Sequence, residues 1–159
     1  MNHSRLVCVW MAGIVLLVHV TGCNRENLPK LGAVSGTVTM DGQPVANATV
    51  VFDGAKEGES ASLGRTDASG KYELYYSRGH KGATIGEHVV HISTHDETGD
   101  DDNRQVHKET IPSRYNAKSE LKANVARGAN KHDFELKSGG EIIQPGETPP
   151  VAKSKKGKK

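Results

Sequence analysis

Eight histidines, a cluster of acids and a few hydroxyl and phenol side chains are the groups in this sequence that could do chemistry. His91 and His95 stand four apart. On a helix they would share a face, but the surrounding residues alternate with the period of a strand. Four strand residues span about 13 Å, whereas zinc ligands sit about 2.0–2.1 Å from the metal. His88 and His91 fall on opposite faces of the same run. No His-Glu-x-x-His or Cys-x-x-Cys spacing occurs, so neither a metal site nor a cofactor is expected. The acids of segment 96–102 offer oxygens of the kind calcium takes, without the alternating spacing and central glycine of an EF-hand loop. That segment reads as a solvated loop. Hydrolase chemistry lacks a Gly-x-Ser-x-Gly elbow, and no carboxylate pair stands in an acid–base frame, so no catalytic residue is assigned. Tyr75, expected to point outward, and Tyr115, beside a loop, are the candidate ligand contacts, because aromatic faces stack on sugar rings.

The clearest chemistry lies near the N-terminus. A basic start with Arg5 precedes an apolar run from Leu6 to Val20, interrupted by His19 near its end. The run closes on Val20-Thr21-Gly22-Cys23. This is the order of a signal peptide, and the run is shorter than the roughly 20 residues that a bilayer span needs. The last four residues resemble a bacterial lipobox, in which the cysteine is lipidated on sulfur and becomes the new N-terminus. Residues 1–22 are therefore expected to be a lipoprotein signal peptide, with Cys23 the lipidated residue and 24–33 the rest of a short tether. Cys8 would leave with the signal and Cys23 would be consumed by the thioether, leaving no thiol to pair.

The elements that carry these residues are short and alternate with period two. Val34, Gly36, Val38 and Met40 share one face, and Asp41-Gly42 follows as a hairpin turn. Pro44 is expected to interrupt pairing. Ala48, Val50 and Phe52 form the next inward set. Leu63 to Thr66 reads as a short strand and Asp67-Ala68-Ser69-Gly70 as a turn; Tyr72, Leu74 and Tyr76 then face one way. Gly79 to Gly86 reads as a loop, and His88, Val90 and Ile92 face inward on the strand that follows. Residues 95–105 are almost wholly polar and read as a mobile loop. Ile111-Pro112 breaks regular structure, and Leu121, Ala123, Val125, then His132, Phe134 and Leu136, complete the pattern. The expectation is an all-β fold, a seven- to eight-stranded antiparallel β-sandwich over 34–138. Segment 139–159 is rich in Pro, Gly and Lys and is expected to be disordered.

Charge is unevenly spread. The tail from 139 holds five lysines against two acids; setting Arg5 aside, the remainder has 15 basic and 17 acidic residues. A domain built for nucleic acid would be basic on its folded part, and this one is not. Trp10 is the sole tryptophan and lies in the segment to be removed, so the core rests on Val, Leu, Ile, Phe and Tyr.

Gly36-Thr37-Val38, Asp41-Gly42-Gln43-Pro44-Val45, and Ala48 with Val50 and Phe52 resemble the opening of a carboxypeptidase regulatory-like domain. Thr66-Asp67 with Gly70, Tyr72 and Leu74, and then Gly86, His88, Val90 and Ile92, resemble its later hallmarks. Ile111-Pro112-Ser113-Arg114-Tyr115-Asn116, Ser119, Leu121 and Asp133-Phe134-Glu135-Leu136 resemble small lipoproteins of planctomycete-type bacteria. The resemblance implies a transthyretin-like (prealbumin-like), Ig-like sandwich that carries no catalytic residue. His88 and His132 stand where the family has an aromatic or large apolar residue. One transthyretin-like branch acts on hydroxyisourate and ends in Tyr-Arg-Gly-Ser; this chain ends Lys-Lys-Gly-Lys-Lys. The expected function is a non-enzymatic, lipid-anchored cell-envelope module that is structural or binds protein, the alternative being a surface carbohydrate-binding module. Its expected partners are the membrane, through the lipid, and an envelope protein or glycan.

Overall fold

The computed structural model describes residues 28–55, 58–100 and 102–146. The expected signal peptide, Cys23 and residues 147–159 lie outside the described residues. The described chain is all-β. Its strands are β1 (Leu31–Met40), β2 (Gln43–Pro44), β3 (Thr49–Gly54), β4 (Ser62–Arg65), β5 (Lys71–Glu73), β6 (Tyr75–Tyr76), β7 (His80–Lys81), β8 (Ala83–Thr84), β9 (Gly86–Ser93), β10 (Asp96–Thr98), β11 (Gln105–His107), β12 (Lys122–Val125), β13 (Ala129–Lys131) and β14 (Phe134–Leu136).

Two sheets face each other. The first is built on β1, which has β8, β5 and β2 antiparallel to it and β13 and β14 parallel. The second runs β12-β9-β3-β4-β6-β7 and is antiparallel throughout. The alternation expected in β1 is observed: Val34 and Val38 are buried, while Ala33 and Ser35 face solvent. Val50, Phe52, Val90, Ile92, Val125 and Leu136 fill the space between the sheets, each at most 1% exposed. Burying side chains of this size stabilises the fold by about 1.5–3 kcal/mol each. Phe52 sits at the centre, its ring edge-on to Phe134 at 6.2 Å and to His88 at 5.7 Å.

The chain switches sheets where strands break. Lys71 to Tyr76 pairs first with β1 and then, beyond Leu74, with β4. The return run pairs with β6 through β7 and with β1 through β8, turning at Gly82. Gly82 has φ +109, and its N–H donates to the Leu74 carbonyl at 2.8 Å. These two corners join the sheets along one side of the sandwich. Runs broken in this way make the strands shorter and more numerous than sequence periodicity suggests.

Four local expectations need correction. Pro44 does not interrupt pairing: it lies opposite Thr39, and the Val45 N–H donates to Val38 O at 3.0 Å. Proline is tolerated here because β2 pairs only with β1, leaving its nitrogen side outside the ladder. Segment 95–105 is not a plain loop, since β10 and β11 form a hairpin of their own. Between Gly79 and Gly86 the chain forms β7 and β8. Residues 139–146, within the segment read as a disordered tail, are seated on the fold: Arg114 donates to Gly139 O, and Ser113 N donates to Glu141 O, both at 2.8 Å.

Thr66 and Asp67 act on the backbone. Thr66 Oγ1 accepts the Ala48 N–H at 2.8 Å. Asp67 Oδ1 accepts from the Ser69 N–H and hydroxyl and from the Lys71 N–H, closing the turn before β5.

Candidate functional site

The densest polar construction is centred on Glu109, in the stretch that leads from β11 to the buried Ile111-Pro112 pair. Glu109 is 4% exposed. Its Oε2 accepts the Ser93 hydroxyl at 2.5 Å. Its Oε1 accepts the Thr94 N–H (3.0 Å), the Thr94 hydroxyl (2.9 Å), the Thr110 N–H (3.0 Å) and the Ile111 N–H (2.9 Å). Its backbone N–H and carbonyl both bond the Gln144 side chain. Burial pushes the carboxyl pKa up, but the Ser93, Ile111 and Thr94 hydrogen bonds outweigh it and hold the value below the usual range. Glu109 is thus a buried, ionised carboxylate with its lone pairs engaged.

Ser93 and His91 project from the same face of β9, and Glu109 lies beside them. These are the residue types of a hydrolytic relay. The bonding differs from one. Ser93 gives its proton to Glu109. His91 Nδ1 lies 2.8 Å from the Asn116 carbonyl; a carbonyl only accepts, so Nδ1 carries the hydrogen. Asn116 in turn donates from Nδ2 to Ile111 O at 3.0 Å. The cluster positions backbone and leaves no serine–histidine bond.

Two grooves flank it. One, of about 580 Å³, is lined by His91, Ser93, Glu109, Lys118 and residues 143–146, among others. The other, of about 620 Å³, lies between the end of β4 and the hairpin and is lined by Arg65, Asp96, His107, Lys108 and Thr110, with Asn47, Thr94 and Thr98. Arg65 Nη2 and Asp96 Oδ2, 2.8 Å apart, join its two walls, and the Arg65 hydrogen bond holds the Asp96 carboxyl below its ordinary value.

Of the residues singled out in the sequence, Cys23 lies outside the described residues. Tyr75 is 39% exposed on β6, as expected. Its hydroxyl donates to Glu73 at 3.2 Å, and the Lys81 ammonium lies 5.8 Å from its ring centroid. Tyr115 is partly buried against the core; its hydroxyl accepts the Lys137 N–H at 3.1 Å, and the Arg114 guanidinium stacks at 4.7 Å. The two tyrosines share no partner and do not form one platform. His91 and His95 likewise have different partners, Asn116 and Glu97. Within the 96–102 segment, Asp96 pairs with Arg65 outside the hairpin, Glu97 pairs with Arg104, and Asp100 Oδ1 accepts the Asp102 and Asn103 N–H groups. Glu109 escaped sequence reasoning, although a lone acid two residues before an Ile-Pro pair was its available signal.

No family model matches the chain, and no curated protein matches it. A crystal structure of a 9R-lipoxygenase from Cyanothece PCC8801 is similar, with a TM-score of 0.40 and 21% sequence identity. The likeness covers 76% of this chain, which spans 20% of the length of that structure. A likeness of that size bears on neither activity nor ligand.

Proposed function

We propose that this chain is a non-enzymatic β-sandwich lipoprotein of the carboxypeptidase regulatory-like kind, held at the cell envelope by lipid on Cys23. In this reading it works by taking a strand of an envelope protein onto its hairpin. The observation that carries it is the β10–β11 pair, which belongs to neither sheet and, among the described residues, has no strand on either outer edge. Every residue of β11 is exposed, and Val106 is 50% exposed. An isolated two-stranded hairpin is marginally stable in water, so an added third strand stabilises it while reading its side chains. The non-enzymatic part is supported by the Ser93 proton going to Glu109 and not to His91.

The anchor is supported by the Val20-Thr21-Gly22-Cys23 pattern. Eight residues from Cys23 to Leu31 reach at most about 28 Å when extended, which would keep the sandwich near the bilayer. The test is cross-linking in intact envelopes followed by mass spectrometry. Wild type is expected to capture a partner that Val106→Asp loses while keeping its fold, and Cys23→Ser is expected to leave the membrane fraction. An unchanged cross-link pattern in Val106→Asp would reject the hairpin as the docking edge. A mature mass with Met1 intact and the thiol unmodified would reject the anchor.

A further inference from the structure

The polar groove between β4 and the hairpin takes Asp96, Thr98 and His107 from that hairpin but is built for a small ligand rather than a strand. We propose that it binds a compact hydroxylated carboxylate, the chemistry of a uronic-acid sugar. The proposal depends on neither the lipid nor a protein partner.

The groove is positively charged on balance. Arg65 and Lys108 are fixed cations, and Asp96 is the one carboxylate among the lining side chains. Among the described residues Lys108 makes no hydrogen bond or ion pair. Arg65 gives Asp96 a bond from Nη2, while a guanidinium has five N–H donors in a planar fork. The rest of that fork faces a partly exposed site, with the Arg65 side chain 48% accessible. A carboxylate matches such a fork in shape and charge.

The opposite wall has a fixed polarity. Glu109 is ionised and only accepts, so the Thr94 hydroxyl spends its single proton on Glu109 Oε1. Thr110 Oγ1 lies 2.9 Å from Thr94 Oγ1, so its proton must point to Thr94. Thr110 therefore offers lone pairs to the groove. A ligand that satisfies both walls needs an anion at one end and hydroxyl donors at the other. Sulfate or a bare carboxylate lacks the donors, and a neutral sugar lacks the anion. A neutral sugar would also want a broad Trp, Tyr or Phe platform, and no such residue lines the groove. The volume of about 620 Å³ falls within the roughly 300–1,000 Å³ usual for small ligands. The Arg65–Asp96 bridge between the walls suits a compact molecule better than a running chain.

The test is amide NMR on the full chain in detergent micelles, titrated separately with glucuronate, glucose, glutarate and a short poly-glutamate peptide. Glucuronate is expected to shift the Thr94, Thr98 and Thr110 amides, with glucose and glutarate weaker by about tenfold or more. Lys108→Gln is expected to weaken glucuronate about tenfold with an unchanged melting temperature. Arg65→Lys, which keeps the charge and loses the fork, is expected to weaken it as well. Absence of shifts up to the solubility limit of glucuronate overturns the proposal. So does glutarate or the peptide binding as tightly as glucuronate, or wild-type affinity in Lys108→Gln.

Discussion

The Ser93 hydroxyl and Glu109 Oε2 are 2.5 Å apart, and this bond pins the end of β9 to the stretch that leaves the hairpin. The other carboxylate oxygen gathers N–H groups from Thr94, Thr110 and Ile111. A single side chain thereby satisfies donors on both sides of an irregular crossing and lets Ile111, fully buried, plug the core.

Glu109→Ala is therefore expected to destabilise the fold by about 2–4 kcal/mol, because buried donors lose their acceptor. Urea denaturation checks this. Ser93→Ala removes one of the hydrogen bonds to Glu109 and is expected to cost about 1.5–3 kcal/mol, the usual range for a bond to a charged group.

Acid should weaken the protein in two stages. Burial holds the His88 pKa below 6.5, so the unfolded chain takes up its proton first. The stability linked to His88 is complete above pH 6.5 and drains as pH falls from there through its lowered folded value. Hydrogen bonding holds Glu109 below 4.5, so its contribution persists to lower pH and is lost as pH falls through that depressed value. Melting temperatures taken from pH 8 to pH 3 are expected to fall in these two steps. His88→Leu should abolish the first step. It should also raise stability at pH 5, since His88 Nδ1 is buried without a partner.

Gly82→Ala is expected to cost about 3 kcal/mol or more, since φ +109 strains any side chain and its Cβ would lie 2.2 Å from Gly32 O. Thermal unfolding checks this. A near-neutral result would mean that the β7–β8 corner can open without disturbing β1.

The two tyrosines should separate cleanly by stability. Tyr115→Ala is expected to lose about 2–3 kcal/mol through lost packing and the lost acceptor for Lys137. Tyr75→Ala, on the exposed face of β6, is expected to stay within about 0.5–1 kcal/mol of wild type. Paired denaturation curves distinguish these outcomes.

Much of the sandwich was legible because its core positions obey period two. Val34 and Val38, Val50 and Phe52, and Val90 and Ile92 all point inward as their spacing requires. His88, at 3% exposed, obeys the same rule despite its polarity, because its place on β9 outweighs its preference for water. The parallel pairing of β13 and β14 with β1 was not legible: alternation tells which face a residue occupies, not which strand lies beside it. The hairpin was hidden because no described residue from Asp96 to His107 is buried, and a strand with two wet faces carries no hydrophobic rhythm. The Glu109 centre was hidden because its partners lie up to 35 residues away and include the Gln144 amide, in a segment whose composition suggests disorder.

The parallel contact between β1 and the last strands also has a mechanical meaning. The N-terminal end of β1 leads toward Cys23, and β14 ends in the opposite direction. A tug between the N-terminal end of β1 and the C-terminal end of β14 would load the hydrogen bonds of this seam together, in shear, and would not peel them one at a time. Under the proposed lipid anchor, a domain tied by its first strand would thus be braced along the direction in which it is pulled.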